Sequence, residues 1–145
     1  MFINRIKPSN LVKEIKKSDI ILLGVSRTSK TPTSIYLANR GYKTVNIPLV
    51  LDQKIPDGLS LNNKSCIVGL IADPERLADI RRNRVAIMKD HKLKEYTDLK
   101  SIKEELENSK KLFKKNNWPI IDVTRRSVEE TAASILKIIE IKKNR

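Results

Sequence analysis

The chain has 145 residues, ordinary for one domain with one core, and its 39% hydrophobic but only 4% aromatic content predicts a core of Ile, Leu, Val and Ala. No apolar run approaches the roughly 20 residues needed to span a bilayer, and the N-terminus lacks a secretory signal pattern, so a soluble, cytoplasmic protein with no membrane partner is expected. A net charge of +13 is carried by scattered lysine pairs, without zinc-finger spacing, a helix-turn-helix signal or an aromatic-studded sheet, which argues against sequence-specific nucleic-acid binding.

Strand and helix periods alternate along the chain, as a parallel α/β domain requires. A short amphipathic helix is predicted from about Pro8 to Lys17, with Leu11, Val12 and Ile15 apolar. A first strand follows at Asp19 to Gly24, then a helix from about Pro32 to Arg40 ended by Gly41. The second strand spans about Lys43 to Ile47, and the stretch from Pro48 to Lys64, with Pro56, Asp57 and Gly58, reads as a loop. The third strand is Cys66 to Ile71. Asp73 and Pro74 then fit the N-cap and first position of a long helix. Leu99, Ile102, Leu106, Leu112 and Phe113 trace one helical face between about Asp98 and Asn116. A fourth strand at Pro119 to Val123 precedes a last helix from Ser127 to about Lys142, opened by the capping-box spacing of Ser127 and Glu130. The expected architecture is a single domain over residues 1–145: a parallel sheet of about four strands with flanking helices, of the P-loop kinase type. Cys66, the only cysteine, excludes an internal disulfide and reads as a small buried hydrophobe in a reducing compartment.

The segment Gly24-Val25-Ser26-Arg27-Thr28-Ser29-Lys30-Thr31 carries the chemistry, because it joins the first strand to the first long helix. It follows the pattern G-x-x-x-x-G-K-[ST], in which backbone N–H groups cradle phosphate oxygens, the Lys reaches the terminal phosphates and the hydroxyl holds Mg²⁺. The second Gly is replaced by Ser29, which implies either a slightly different loop geometry or a tolerated strain of about 1 kcal/mol. Gly24 through Thr31, Val25 included, are thus the candidate nucleotide-binding residues, with Lys30 neutralising phosphate charge and Thr31 as the metal ligand. Arg27 is either a stabiliser of developing charge or a surface residue. A Ser/Thr-rich turn that merely caps a helix is the plain alternative.

Other candidates sit at strand ends. Asp73 is read as a catalytic-site carboxylate that holds Mg²⁺ through water, or as an N-cap. Asp122 is a functional or a turn carboxylate. Arg76, Arg81, Arg82 and Arg84 form either a phosphate clamp or a solvated face. His91, in a polar run, is read as exposed and not catalytic.

The loop and the residues after it, through Arg40-Gly41-Tyr42 to Asn46 and Pro48, resemble the kinase/pyrophosphorylase family that regulates pyruvate, phosphate dikinase and phosphoenolpyruvate synthase. So do Gly69-Leu70-Ile71-Ala72-Asp73-Pro74-Glu75-Arg76-Leu77, Ile80 to Arg84, Trp118 to Thr124 and Ser127 to Ala132. The family's loop also has Ser before the Lys. The resemblance implies a two-way enzyme: ADP donates its terminal phosphoryl group to a threonine of the dikinase or synthase, and inorganic phosphate as co-substrate removes it as pyrophosphate. The expected cofactors are therefore ADP and Mg²⁺. Family members carry a substantial region before this strand and loop, whereas about 18 residues precede Asp19 here, so turnover is expected to need a second surface from a separate N-terminal chain or a homo-oligomer. The alternatives are a P-loop kinase of small molecules and a nucleotide-binding remnant without turnover.

Overall fold

In the computed structural model, which describes residues 8–50, 55, 59, 64–88 and 94–143, four strands form one sheet: β1 Ile20–Gly24, β2 Thr44–Pro48, β3 Cys66–Ile71 and β4 Ile120–Asp122. The spatial order is β2-β1-β3-β4 and every pairing is parallel. β1 lies between its neighbours, with Ile20 opposite Thr44 on one side and Cys66 on the other. The helices are α1 Pro8–Lys17, α2 Lys30–Asn39, α3 Pro74–Met88, α4 Lys94–Thr97, α5 Leu99–Lys115 and α6 Val128–Lys143. This is the expected α/β sheet with flanking helices. The short α4 was not anticipated, and His91 with most of the predicted 48–64 loop lies outside the described residues.

Parallel strands need crossovers, and the crossover helices cover both faces, so such strands read as unbroken apolar runs. All five residues of β1 are buried. Alternation of side chains sorts them: Ile20, Leu22, Val68, Leu70 and Ile121 pack against Leu37 of α2 and against Ala132 and Ile135 of α6. Ile21, Leu23, Val45, Ile47 and Ile67 face the other way, onto Ile15 of α1 and Phe113 of α5. Each such side chain contributes about 1.5–3 kcal/mol when fully buried. A third cluster, Val25 with Leu77, Ala78, Ile102 and Leu106, fixes α3 and α5 at the carboxyl end of β1.

Local signals set the helix ends. Gly41 has φ +92°, its amide donates to Ala38 O at 3.0 Å, and the Tyr42 amide donates to Leu37 O at 3.1 Å. These are the paired bonds of a Schellman motif, closed by a residue without a Cβ penalty. Asn117, φ +56°, ends α5 the same way, with the Trp118 amide on Phe113 O at 2.9 Å. At the start of α6 the Glu130 amide donates to Ser127 Oγ at 3.1 Å and the Ser127 amide to Glu130 Oε1 at 3.3 Å, the reciprocal box that the spacing predicts. α2 starts at Lys30, two residues before the predicted Pro32, so the proline falls in the first turn, where a missing N–H leaves no bond unmade.

Candidate functional site

The helices that follow β1 and β3 pack on opposite faces of the sheet, which opens a crevice at the carboxyl end of β1. The loop from Val25 to Ser29 fills it. Gly24 admits no side chain, since a Cβ there would lie 2.6 Å from Thr28 Oγ1 and 3.0 Å from the Leu70 carbonyl oxygen. Arg27 and Ser29 adopt φ +70° and +63°, so of the two readings of Ser29 the structure has the strained one, the left-handed conformation that Gly would adopt freely. Among the described residues, the backbone amides of Ser26, Arg27, Thr28 and Ser29 donate to no protein acceptor. Unpaired donors at the N-terminus of a helix make a ready site for an anion.

Ser29 makes no side-chain cap bond to α2. Ser29→Gly is therefore expected to change stability by less than about 1 kcal/mol, because relief of strain offsets the extra backbone entropy of Gly. Urea unfolding checks this. A larger loss would make the hydroxyl a structural bond.

The electrostatics also favour an anion. Lys30 is only 8% exposed, and its Nζ donates to Val25 O at 2.7 Å and to Thr28 Oγ1 at 3.4 Å. Burial, then the nearby charges of Arg81 and Arg27, bring its pKa down to about 8. Among the described residues no carboxylate pairs with Lys30 or Arg27, and the one on Arg81 is Glu105, at 2.7 Å. The site holds more positive charge than it compensates.

A cleft of about 530 Å³ brings together Ser26, Arg27, Ser29, Lys30, Thr31 and Pro32, opposed by Asn46 and Pro48 of β2 and Ile80 of α3. Asp73 and Asp122 are not among its lining residues. Asp73 Oδ2 accepts the Arg76 amide at 3.1 Å and so caps α3. Asp122 Oδ1 accepts both the amide and the hydroxyl of Thr124, and Thr124 Oγ1 accepts the Asp73 amide at 2.7 Å, which ties the ends of β3 and β4 together. The arginines of α3 divide: Arg81 is buried, whereas Arg76, Arg82 and Arg84 are exposed, Arg82 beside Asp79 at 3.2 Å. Cys66 is buried, and burial pushes its thiol pKa up against the smaller opposing effect of Lys142. Sequence reasoning missed Asn46, Tyr96 and Glu105. Tyr96 OH lies 2.8 Å from Ser26 Oγ and Glu105 is 24 residues from Arg81, separations that no local pattern signals.

Nucleotide phosphates fit the unpaired amides and the surplus charge. For Mg²⁺ there is, among the described residues, no group of three or more His, Cys, Asp or Glu able to form a cage. Mg²⁺ commonly takes one or two protein ligands and completes its shell with phosphate oxygens and water, and Thr31, on the cleft wall, suits that mode.

The chain is similar to known proteins over most of its length. The kinase/pyrophosphorylase family profile matches residues 8–136. A protein of Pelagibacter ubique (strain HTCC1062) is 62% identical over 136 residues, covering 93% of this chain and 50% of its own. Another of Sinorhizobium fredii (strain NBRC 101917 / NGR234) is 53% identical over 126 residues, 86% of this chain and 46% of its own. A third, of Maricaulis maris (strain MCS10), is 49% identical over 131 residues, 90% and 47%. All three are named, provisionally, as pyruvate, phosphate dikinase regulatory proteins. The chain spans about half the length of these curated relatives. Among the described residues no helix is long and apolar enough to cross a membrane. By the extent of the profile match and the level of identity, the chain belongs to the kinase/pyrophosphorylase family.

Proposed function

We propose that this chain is the nucleotide-binding part of a cytoplasmic regulator of pyruvate, phosphate dikinase that phosphorylates a threonine of that enzyme from ADP and reverses the modification with inorganic phosphate. The observation that carries the reading is the loop itself: among the described residues, four amides without protein acceptors and a buried lysine without a carboxylate, at the start of α2. In the forward step the threonine oxygen attacks the β-phosphorus of ADP, the bond to the α–β bridging oxygen breaks, AMP leaves and the hydroxyl proton passes to solvent or a base. In the reverse step a phosphate oxygen attacks the phosphothreonine phosphorus, forming pyrophosphate, and the threonine oxygen leaves and regains its proton.

In this reading the amides of Ser26 to Ser29 bind the phosphate oxygens, and Lys30 exchanges its bond to Val25 O for one to the transferred group. Thr31 holds Mg²⁺, which supplies charge neutralisation on the phosphates when bound. Asp73, which uses one oxygen to cap α3 and does not line the cleft, is the candidate for a carboxylate acting through water. Positioning of a protein threonine needs a second surface, and poor orientation alone removes several orders of magnitude in rate.

The test uses ADP labelled in the β-phosphate and a purified dikinase. Transfer to threonine is expected to be weak or absent with this chain alone and to appear when the other half of the longer relatives is supplied in cis or as a second chain. Absence of transfer in every arrangement would defeat the proposal, and transfer to free hydroxyl compounds instead would identify a small-molecule kinase.

A further inference from the structure

Among the described residues only two charged side chains are buried, Lys30 and Arg81, and Arg81 is wholly so. Both donate to carbonyls of consecutive peptide units in the loop: Lys30 Nζ to Val25 O at 2.7 Å, Arg81 Nη2 to Ser26 O at 3.1 Å. A lysine in this role belongs to the loop's own pattern. Arg81 comes from α3, 55 residues away in sequence.

A guanidinium is costly to desolvate, and a neutral apolar side chain fills such a space at lower cost unless the charge has a task. Here both terminal nitrogens are engaged, while Nε is buried without a partner among the described residues: Nη1 donates to Glu105 Oε2 at 2.7 Å and to the Tyr96 carbonyl at 3.0 Å, and the guanidinium carbon lies 4.5 Å from the centre of the Tyr96 ring. Those contacts would suffice for a simple tie between α3 and α5. The bond from Nη2 to the loop is not needed for that tie. Ser26 is held a second time, through its hydroxyl, by Tyr96 OH at 2.8 Å.

What the bond does follows from the planarity of the peptide. In a trans unit the C=O and the next N–H point in opposite directions, and no cis bond occurs among the described residues. Drawing the Ser26 carbonyl to Arg81 turns the Arg27 amide the opposite way, away from the guanidinium, and Arg27 itself lines the cleft. The same unit leads into Arg27, whose φ of +70° is unfavourable for a residue with a Cβ and persists only where the surroundings hold it.

We propose that Arg81 is a positioning residue for the phosphate loop: by holding the Ser26 carbonyl it keeps the Arg27 amide aimed into the cleft before any nucleotide arrives, and Glu105 and Tyr96 hold the guanidinium in turn. The inference rests on the reading of the loop as a phosphate site. It makes the loop's binding geometry a property of α3 and the α4–α5 segment, not of the loop sequence alone.

The experiment compares wild type, Arg81→Met and Arg81→Lys with two probes, ADP and pyrophosphate, each measured by calorimetry under conditions where thermal melts show the variant folded. Arg81→Met is expected to bind both probes at least about tenfold more weakly, the loss of one well-aimed charge-assisted contact, and Arg81→Lys to recover part of that. In the ligand-free protein, ¹⁵N relaxation should give the Arg27 amide an order parameter near 0.85 in wild type and below about 0.6 in Arg81→Met. The pH at which affinity for pyrophosphate falls should also move upward in Arg81→Met, because Arg81 is one of the charges that make Lys30 release its proton early. A merely structural residue would lower the melting temperature and move neither the two affinities nor the Arg27 order parameter, while the pH shift reports only the loss of a nearby charge; unchanged affinity in folded Arg81→Met, or an unchanged Arg27 order parameter, therefore overturns the proposal. Should Arg81→Met fail to fold, Arg81→Lys decides on the same readouts, with wild-type values overturning it. A wild type that binds neither probe defeats the nucleotide reading instead, and the relaxation data on the ligand-free chains then decide the positioning role alone.

Discussion

Lys30→Met is expected to abolish most nucleotide affinity and, in the same variant, to stabilise the ligand-free fold. Lys30 is 8% exposed and its pKa drops from 10.5 to about 8, chiefly through burial and then through Arg81 and Arg27. A shift of that size corresponds to about 3 kcal/mol of destabilisation below about pH 8, where the folded and unfolded chains both keep the proton. Removing Nζ also strips Val25 O of its donor, which returns about 1–3 kcal/mol. The net gain is about 1 kcal/mol, or a melting temperature higher by about 3 °C. Affinity for ADP should fall on the order of 100-fold, the worth of a charge-assisted bond of about 3 kcal/mol.

The sign of the pH dependence follows from the same shift. Between pH 8 and 10.5 the unfolded chain binds a proton at Lys30 that the folded chain has released, so wild-type stability gains from Lys30 as pH rises through that window, and the full penalty is present below it. Lys30→Met lacks this contribution. Binding of ADP at pH 8, by bringing negative charge to the ammonium, should be accompanied by uptake of about half a proton, read from calorimetry in buffers of different ionisation heat. A Lys30→Met chain that is less stable than wild type at pH 7.5 would show that the lysine is a structural bond and not a group held in readiness for an anion.

The second large effect lies behind the site. Phe113 is wholly buried, and its ring occupies the space that a Cβ at Gly69 would need, on the strand next to β1. Phe113→Ala is expected to cost about 3–5 kcal/mol through lost transfer energy and a cavity, a large part of the 5–15 kcal/mol of a typical domain. Gly69→Ala should cost about 1–3 kcal/mol by overpacking in the wild type, yet much less in the Phe113→Ala background, where the added methyl enters vacated space. Urea unfolding of the four chains measures the coupling. Costs that simply add would contradict the ring-on-glycine contact.

What could be read from the sequence was local. The strand runs, the Gly41 turn, the Asp73 cap and the Ser127–Glu130 box each depend on residues within five positions of one another, and the structure has all of them. The geometry at Ser29 was not legible, because a residue with a Cβ gives no local sign of the left-handed φ of +63° that it adopts. Spacing alone put Arg76, Arg81, Arg82 and Arg84 on one helix without deciding which face was solvent. The packing of α3 on α5 decides it, turning Arg81 inward to Glu105. Asn46 drew attention only as part of the resemblance, since an Asn in a strand gives no sign of a cleft until the sheet order brings β2 beside the loop.

The bond from Lys30 Nζ to Val25 O has one more consequence. In the absence of ligand the loop already acts as its own competitor, because the ammonium that a phosphate must recruit is occupied by a carbonyl of the same loop. At Lys30 an incoming oxygen replaces a bond and adds none, so the gain at that contact comes from the charge difference between a phosphate and a carbonyl. Selectivity then scales with ligand charge: a diphosphate displaces the carbonyl readily, a weakly charged or neutral oxygen gains nothing by doing so, and rising ionic strength erodes the margin between them.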